Sequence, residues 1–396
     1  MINKFYPRKL LPQLENQLRS KEIIVLTGMR RTGKTTLYRM LFEHIKSDNK
    51  VFLDMENPIE QKIFEEKDYN NILLNLAEFR IDSKKKSYIF IDEIQMMPSA
   101  IKAVKYLYDH YNIKFFLTGS SSFYLKNLFP ESLAGRKFVF EIFPLDFEEF
   151  LIFKNKKIKC QESFRQKDLR KNQIRYEKLK KDYEEYLEFG GFPGVVLAVN
   201  KNDKKFRLND IFKSYFEKDV RTLADFKEIS AFRNLILLLM QRVGSKIEIS
   251  KLASEVGVSR ETIYSYLSFL EATYFVHFVR PFSKNVDREV SGGRKVYLCD
   301  SGVLNNFAKV SEGSLFENSI FLNLKKYGKT NYYQRRSGVE IDFILNNKIA
   351  LEAKLSGTIF DLKRLVRTSK LLGINQYYLI TKNFNKNKYF IPAIEL

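Results

Sequence analysis

The chain has 396 residues, 44% hydrophobic and 29% charged, which suits a core-bearing globular protein and excludes a mainly disordered one. Cys160 and Cys299 are the only cysteines, so a disulfide scaffold is excluded and a reducing compartment fits. Lys and Arg number 68 against 47 Asp and Glu, a formal net charge of +21. The excess is uneven. Residues 1–150 hold 23 basic and 20 acidic side chains, residues 151–240 hold 21 and 13, and residues 241–396 hold 24 and 14. A basic surface of this kind favours polyanions such as nucleic acid. Met1 to Lys9 lacks an apolar stretch, so no signal peptide is expected. The longest apolar run, Leu235 to Met240, is far short of the roughly 18 residues of a spanning helix. A cytoplasmic protein with no membrane contact is the expectation.

In chain order, the first third alternates strands and helices. Strands are expected at 22–27, 51–54, 88–91, 114–118 and 137–142, and helices at 34–45, 71–79 and 101–111. That alternation predicts a parallel, doubly wound α/β sheet. The runs YIFI and FFL are apolar on both faces, as strands covered by helices are.

Between the first strand and the first helix lies Gly28-Met29-Arg30-Arg31-Thr32-Gly33-Lys34-Thr35, followed by Thr36, a full match to G-x-x-x-x-G-K-[ST]. Backbone N–H groups of such a loop and of the helix N-terminus point at phosphates. Lys34 is expected to reach the β- and γ-phosphates of ATP, and Thr35 to ligate Mg²⁺. Asp92 ends an apolar strand at the edge where open α/β sheets bind ligands, and is expected to hold Mg²⁺. Glu93 is placed to orient the attacking water. After the strand KFFLT, Ser120 is the expected γ-phosphate sensor, with Thr118 and Ser121 as alternatives. Arg136 is the candidate arginine finger, in cis or across a subunit interface.

From Pro144 the pattern turns helical and basic. The stretches 154–159 and 165–181 read as a solvated surface, and the stretch between them as a mobile insertion. Residues 187–194, LEFGGFPG, form a Gly/Pro turn cluster. Residues 247–276 carry a helix-turn-helix pattern: Leu252, Ala253 and Val256 on one helix, a turn at Gly257, a cap at Ser259, then Ile263, Leu267 and Leu270. Wing strands are expected at 275–281 and 295–298. Arg260, Glu261, Tyr264 and Ser265 form the expected recognition face.

Near the C-terminus, Glu317 sits on a helix, Asp342 on the strand VEIDFIL, and Glu352 and Lys354 on the strand IALEAK. The pattern resembles the PD-(D/E)xK nuclease fold, here spaced D-x9-E-x-K. With period two, Glu352 and Lys354 share a strand face, and a neighbouring strand brings Asp342 beside them. Asp342 and Glu352, completed by Glu317, are the expected ligands of Mg²⁺ or Mn²⁺, with Lys354 facing the bound water.

The phosphate loop, the DE-ending strand, T-G-S-S at 118–121, L-A-G-R at 133–136, P-L-D-F-E-E-F at 144–150 and G-G-F-P at 190–193 together resemble the prokaryotic AAA+ predicted ATPases over essentially the whole chain. The resemblance implies an ASCE-type P-loop core over 1–150, a helical lid with a basic insertion over 151–230, a winged helix over 231–305 and a nuclease-like domain over 306–396. It implies an ATPase whose nucleotide state controls a module acting on nucleic acid, DNA favoured. The alternative is an ATP-dependent signalling or scaffold switch whose inactive nuclease-like domain binds protein. Homo-oligomerisation or a protein partner accompanies either reading.

Overall fold

Five short apolar segments of the first third pair as parallel strands: β1 (Ile23–Thr27), β2 (Lys50–Asp54), β3 (Ser87–Asp92), β4 (Ile113–Gly119) and β5 (Lys137–Glu141). The computed structural model describes residues 5–119, 133, 135–156, 161–220, 228–283, 289, 292–335 and 338–396. These divide into two units, Met1–Phe143 with Ala272–Tyr274, and Pro144–Glu271 with Phe275–Leu396.

In the first unit the sheet order is β2-β3-β4-β1-β5, so β4 is inserted between the strand that precedes the phosphate loop and the strand that ends in Asp92. Every residue of β1 and β4 is buried, as expected of parallel strands covered on both faces. Besides α1 (Leu11–Asn16), the α-helices among the unit's described residues are α2 (Lys34–His44), α3 (Pro58–Gln61), α4 (Asn71–Ala77) and α5 (Ala100–His110). On one face Tyr38 of α2 meets Phe90 edge-on at 5.5 Å, and Phe90 stacks on Phe116 at 4.2 Å. On the other, Ile101, Val104 and Leu107 of α5 join Ile89, Ile91, Phe115 and Leu117. Such aromatic pairs add roughly 0.5–1.5 kcal/mol each beyond their burial.

The second unit begins with α6 (Phe147–Phe153), α7 (Phe164–Arg170), α8 (Gln173–Phe189), α9 (Pro193–Val196) and α10 (Lys201–Ser214). The charge-rich stretch 165–181 lies within two capped helices over 164–189, with 157–160 outside the described residues. Ser163 accepts a hydrogen bond from the Gln166 N–H and Asn172 one from the Arg175 N–H, the ordinary N-cap arrangement. Lys167 is fully buried and donates to the Glu395 carbonyl. Lys171 bridges Asp168 and the Phe390 carbonyl, both at 2.7 Å. Charge-rich composition hid the contacts to Glu395 and Phe390, which lie more than 200 residues downstream.

Next come α11 (Ile229–Gln241), α12 (Ile249–Val256), α13 (Arg260–Ala272) and an antiparallel hairpin of β6 (Val276–Val279) and β7 (Lys295–Leu298). Then follow α14 (Ser301–Phe307), α15 (Glu312–Leu324) and a mixed sheet ordered β12-β11-β10-β9-β8. Its strands are β8 (Thr330–Gln334), β9 (Glu340–Leu345), β10 (Ile349–Lys354), β11 (Gln376–Thr381) and β12 (Phe390–Pro392), with α16 (Ile359–Leu371) between β10 and β11. Strands β10 and β11 are parallel, β9 and β10 antiparallel. Ile341, Ile344, Ala350, Leu365, Leu379 and Phe390 form the core between α16 and this sheet.

The Gly190-Gly191 turn ties the helices after Pro144 to this unit. Gly191 N–H donates to buried Asp300 Oδ2 at 2.7 Å, and Leu145 N–H to the Gly191 carbonyl at 2.8 Å. A Cβ on Gly191 would lie 2.2 Å from the Leu145 carbonyl oxygen, so only glycine fits. Among the described residues no helix is long and apolar enough to cross a membrane.

Candidate active site and a carboxylate centre

The phosphate loop runs from the C-terminal end of β1 to the N-terminus of α2, with Gly33 in left-handed conformation at the cap. Gly28 (φ +154°) passes so close to the exit of β5 that a Cβ would lie 2.1 Å from the Ile142 carbonyl oxygen. Thr32 is fully buried and donates to the Met29 carbonyl at 2.8 Å. Lys34 Nζ lies along the loop, donating to the carbonyls of Gly28 (2.8 Å) and Met29 (3.1 Å). Arg8, far upstream, clamps the loop: it donates to the Thr32 carbonyl at 2.7 Å and the Phe143 carbonyl at 2.8 Å. No motif marks Arg8, because its partners are backbone atoms.

Asp92 stands at the end of β3, beside this loop. Its Oδ2 accepts from the Thr35 hydroxyl at 2.7 Å, and its Oδ1 from the Thr118 hydroxyl. Burial raises the Asp92 carboxyl, the two hydroxyls pull it back, Glu93 raises it and Lys34 lowers it. A hard cation at the Thr35–Asp92 pair would stabilise the ionised form. The pair therefore suits Mg²⁺, whose remaining ligands would be waters and nucleotide phosphates.

Glu93 adopts φ +50°, ψ +47°, a left-handed conformation uncommon for a non-glycine residue. Its N–H donates to Thr118 Oγ1 at 2.9 Å, and its carboxylate accepts from the Gln95 amide. Thr118 of β4 thus holds both members of the Asp92-Glu93 pair. Ser120 and Ser121 lie outside the described residues.

Arg136 sits at the opposite, N-terminal end of the strands. β5 pairs with β1 from Ile23↔Lys137 to Thr27↔Glu141, so the five residues of β1, roughly 20 Å of strand, separate Arg136 from the start of the phosphate loop. Its guanidinium grips Asp109 at 2.8 and 3.2 Å. It does not join Lys34, Asp92 and Glu93 of its own chain.

In the second unit, the β9–β10 pairing brings Asp342 beside Glu352, one step beyond the last pair, Leu351↔Phe343. Asp342 Oδ2 accepts the Ala353 N–H at 2.8 Å, replacing a ladder bond. Glu352 is buried; its Oε1 is shared by Lys354, at 3.0 Å, and Arg364 of α16. Its Oε2 is buried without a hydrogen-bond partner. Glu317 Oε1 accepts the Tyr297 hydroxyl at 2.7 Å and lies 3.5 Å from Lys295 Nζ; Lys295 also pairs with Glu340. Burial opposes a charged Lys295, but Glu317, Asp342 and Glu340 raise its pKa. Burial, then Glu317, push the Asp342 carboxyl up to about 8, with Lys295 lowering it and Glu352 raising it.

Among the described residues, no three His, Cys, Asp or Glu side chains are grouped to hold a metal ion, the expected Glu317, Asp342 and Glu352 included. Ammonium and guanidinium groups stand against Glu317 and Glu352. Sequence spacing revealed Lys354 but not Lys295 or Arg364, which reach the centre through tertiary packing. On α13, Arg260, Tyr264 and Ser265 are exposed while Ile263, Tyr266 and Leu267 are buried, and Ser259 caps the helix by accepting the Thr262 N–H at 3.1 Å.

A P-loop α/β sheet with this loop and strand order defines an AAA-type domain built for nucleotide binding. Residues 20–151 match the family described as AAA domain, and residues 180–314 match a domain of unknown function, DUF8612. The chain is 33% identical over 359 residues to the uncharacterized protein MJ1544 of Methanocaldococcus jannaschii, covering 87% of this chain and 75% of that protein. It belongs to the same family as MJ1544. It is also 29% identical over 336 residues to an uncharacterized protein of Haemophilus influenzae, covering 81% and 79%. Among solved structures, the Walker-type ATPase PABY2304 of Pyrococcus abyssi is similar at a TM-score of 0.44 and 15% identity, over 76% of this chain and 96% of that one.

Proposed function

We propose that the chain is an ATPase whose nucleotide state governs a basic, nucleic-acid-binding module formed by the residues after Pro144. The observation that carries the ATPase reading is the convergence of Lys34, Thr35, Asp92 and Glu93 at one edge of the sheet, with Thr35 bonded to Asp92 at 2.7 Å. Phosphoryl transfer asks a protein for positioning and charge stabilisation more than covalent chemistry. Lys34 moves from the loop carbonyls to the β/γ-phosphates. Thr35 and Asp92 would hold Mg²⁺, which would supply charge neutralisation at the phosphates. Glu93 orients the attacking water, its backbone fixed by Thr118. Arg136 acts on the nucleotide of a second copy, because its own loop is at the opposite end of the strands, so hydrolysis requires homo-oligomers.

The nucleic-acid reading rests on the basic excess beyond residue 150 and on α11 to β7, read as a winged helix presenting Arg260, Tyr264 and Ser265. The mixed β8–β12 sheet, with Asp342 beside Glu352 and Lys354, is read as a PD-(D/E)xK-type domain. DNA is favoured as the bound polyanion. The test is ATP turnover by the full chain with and without duplex DNA. A severalfold DNA-dependent rise supports the reading. ATP turnover indifferent to DNA, with no DNA binding at low salt, overturns the nucleic-acid part and favours the protein-scaffold alternative.

A further inference from the structure

The carboxylate centre of the second unit carries cations of its own. Strand β7 alternates, so Lys295 and Tyr297 project to the same side and both meet Glu317. Lys295 is 2% exposed. Its ammonium lies over the Tyr332 ring at 5.5 Å and between Glu317 and Glu340. Glu317 is itself held close: a Cβ on Gly244 would come within 3.0 Å of both its oxygens. On the other side, Glu352 is engaged by Lys354 and Arg364. Glu317 and Glu340 thus face Lys295, and Glu352 faces Lys354 and Arg364, with Asp342 on the strand face of Glu340 and beside Glu352.

An unpaired buried carboxylate is costly, and carboxylates drawn together demand a cation or a proton. In a metal-dependent centre a divalent ion meets that demand. We propose that Lys295 is the resident cation of this centre, so that it binds no divalent metal as folded, and that removing Lys295 converts Glu317, Glu340 and Asp342 into a divalent-cation site. The inference deepens the nuclease-like reading of this domain. It predicts binding without metal-dependent cleavage while Lys295 stays in place.

The consequence is specific to position 295. Arginine there keeps the charge and keeps metal out. Methionine there keeps most of the volume, removes the charge and leaves oxygen ligands suited to Mn²⁺ or Mg²⁺. Lys354 and Arg364 remain on Glu352 in every case.

The experiment is Mn²⁺ binding followed by electron paramagnetic resonance on the nucleotide-free full chain, so that failure of the ATPase reading has no bearing on it. The wild type and Lys295→Arg are expected to show no binding that depends on Asp342. Lys295→Met is expected to gain about one Mn²⁺ per chain, at least about 10-fold tighter than any background. Adding Asp342→Asn to Lys295→Met is expected to abolish that gain, which distinguishes this centre from the Thr35–Asp92 pair. A wild-type chain that binds Mn²⁺ and loses it on Asp342→Asn overturns the proposal. So does a folded Lys295→Met chain that gains none. Should Lys295→Met fail to fold, the comparison of wild type with Asp342→Asn alone decides: equal Mn²⁺ binding supports the proposal, and a loss overturns it.

Discussion

Replacing Arg8 with methionine should loosen the phosphate loop without touching a group that meets ATP. The side chain is buried, and its guanidinium holds the carbonyls of Thr32 and Phe143 at 2.7 and 2.8 Å. Methionine fills similar space but leaves both carbonyls without that donor. A hydrogen bond to a charged group is worth about 1.5–3 kcal/mol, so losing two costs about 3 kcal/mol once partial rehydration is allowed. Nucleotide needs the loop in its ordered form, so the cost falls on binding. At about 1.4 kcal/mol per decade, ATP affinity should drop roughly 100-fold. The assay is ATP binding by titration calorimetry, with circular dichroism to show that the sheet is intact. An Arg8→Met chain that is folded and binds ATP within threefold of wild type would refute the clamp.

Other outcomes follow from the second unit. Burial raises Asp300 from 3.8 to about 6. The folded state therefore holds this proton more tightly than the unfolded one, and the associated stability is complete below about pH 4 and lost as pH rises through about 6. The gap is worth about 3 kcal/mol. Asp300→Asn should flatten that component, so urea midpoints of the two proteins should change differently between pH 4 and 7; parallel curves would contradict it. If α13 lies on DNA, binding should weaken linearly with log salt, and Arg260→Ala should lower the slope by about one, as loss of a phosphate contact does. An unchanged slope would remove Arg260 from the interface.

The first unit was the more legible in sequence, because its signals are local. Apolar runs such as YIFI and FFL mark strands buried on both faces, and glycine spacing marks a loop whose first residue lies against the β5 exit. The interposition of β4 between β1 and β3 also makes sense of Thr118, whose hydroxyl holds Asp92 from the neighbouring strand. What escaped the sequence depends on distant partners. Lys167 reads as one charge among many, yet it is fully buried against the Glu395 carbonyl. The Gly190-Gly191 turn was visible, but Asp300, which it was shaped to meet, was not. Lys295 and Arg364 likewise belong to no motif, yet they pair with a carboxylate pattern that spacing alone assigns to a metal. Arg136 was singled out by its neighbours L-A-G, while its place at the far end of the strands emerged only from the β1–β5 register.

On the reading proposed above, Lys34, Thr35, Asp92 and Glu93 form one ATP-hydrolysing centre. Its most direct test is ATP turnover and ATP retention measured side by side for the wild type, Lys34→Ala and Glu93→Gln, with Mg²⁺ present. The wild type should show Mg²⁺-dependent turnover and Lys34→Ala none. Glu93→Gln should retain binding with turnover reduced at least about 100-fold, because the amide keeps the shape and loses the charge that orients water. Near-normal turnover by Glu93→Gln, or wild-type protein that binds no ATP, would contradict it.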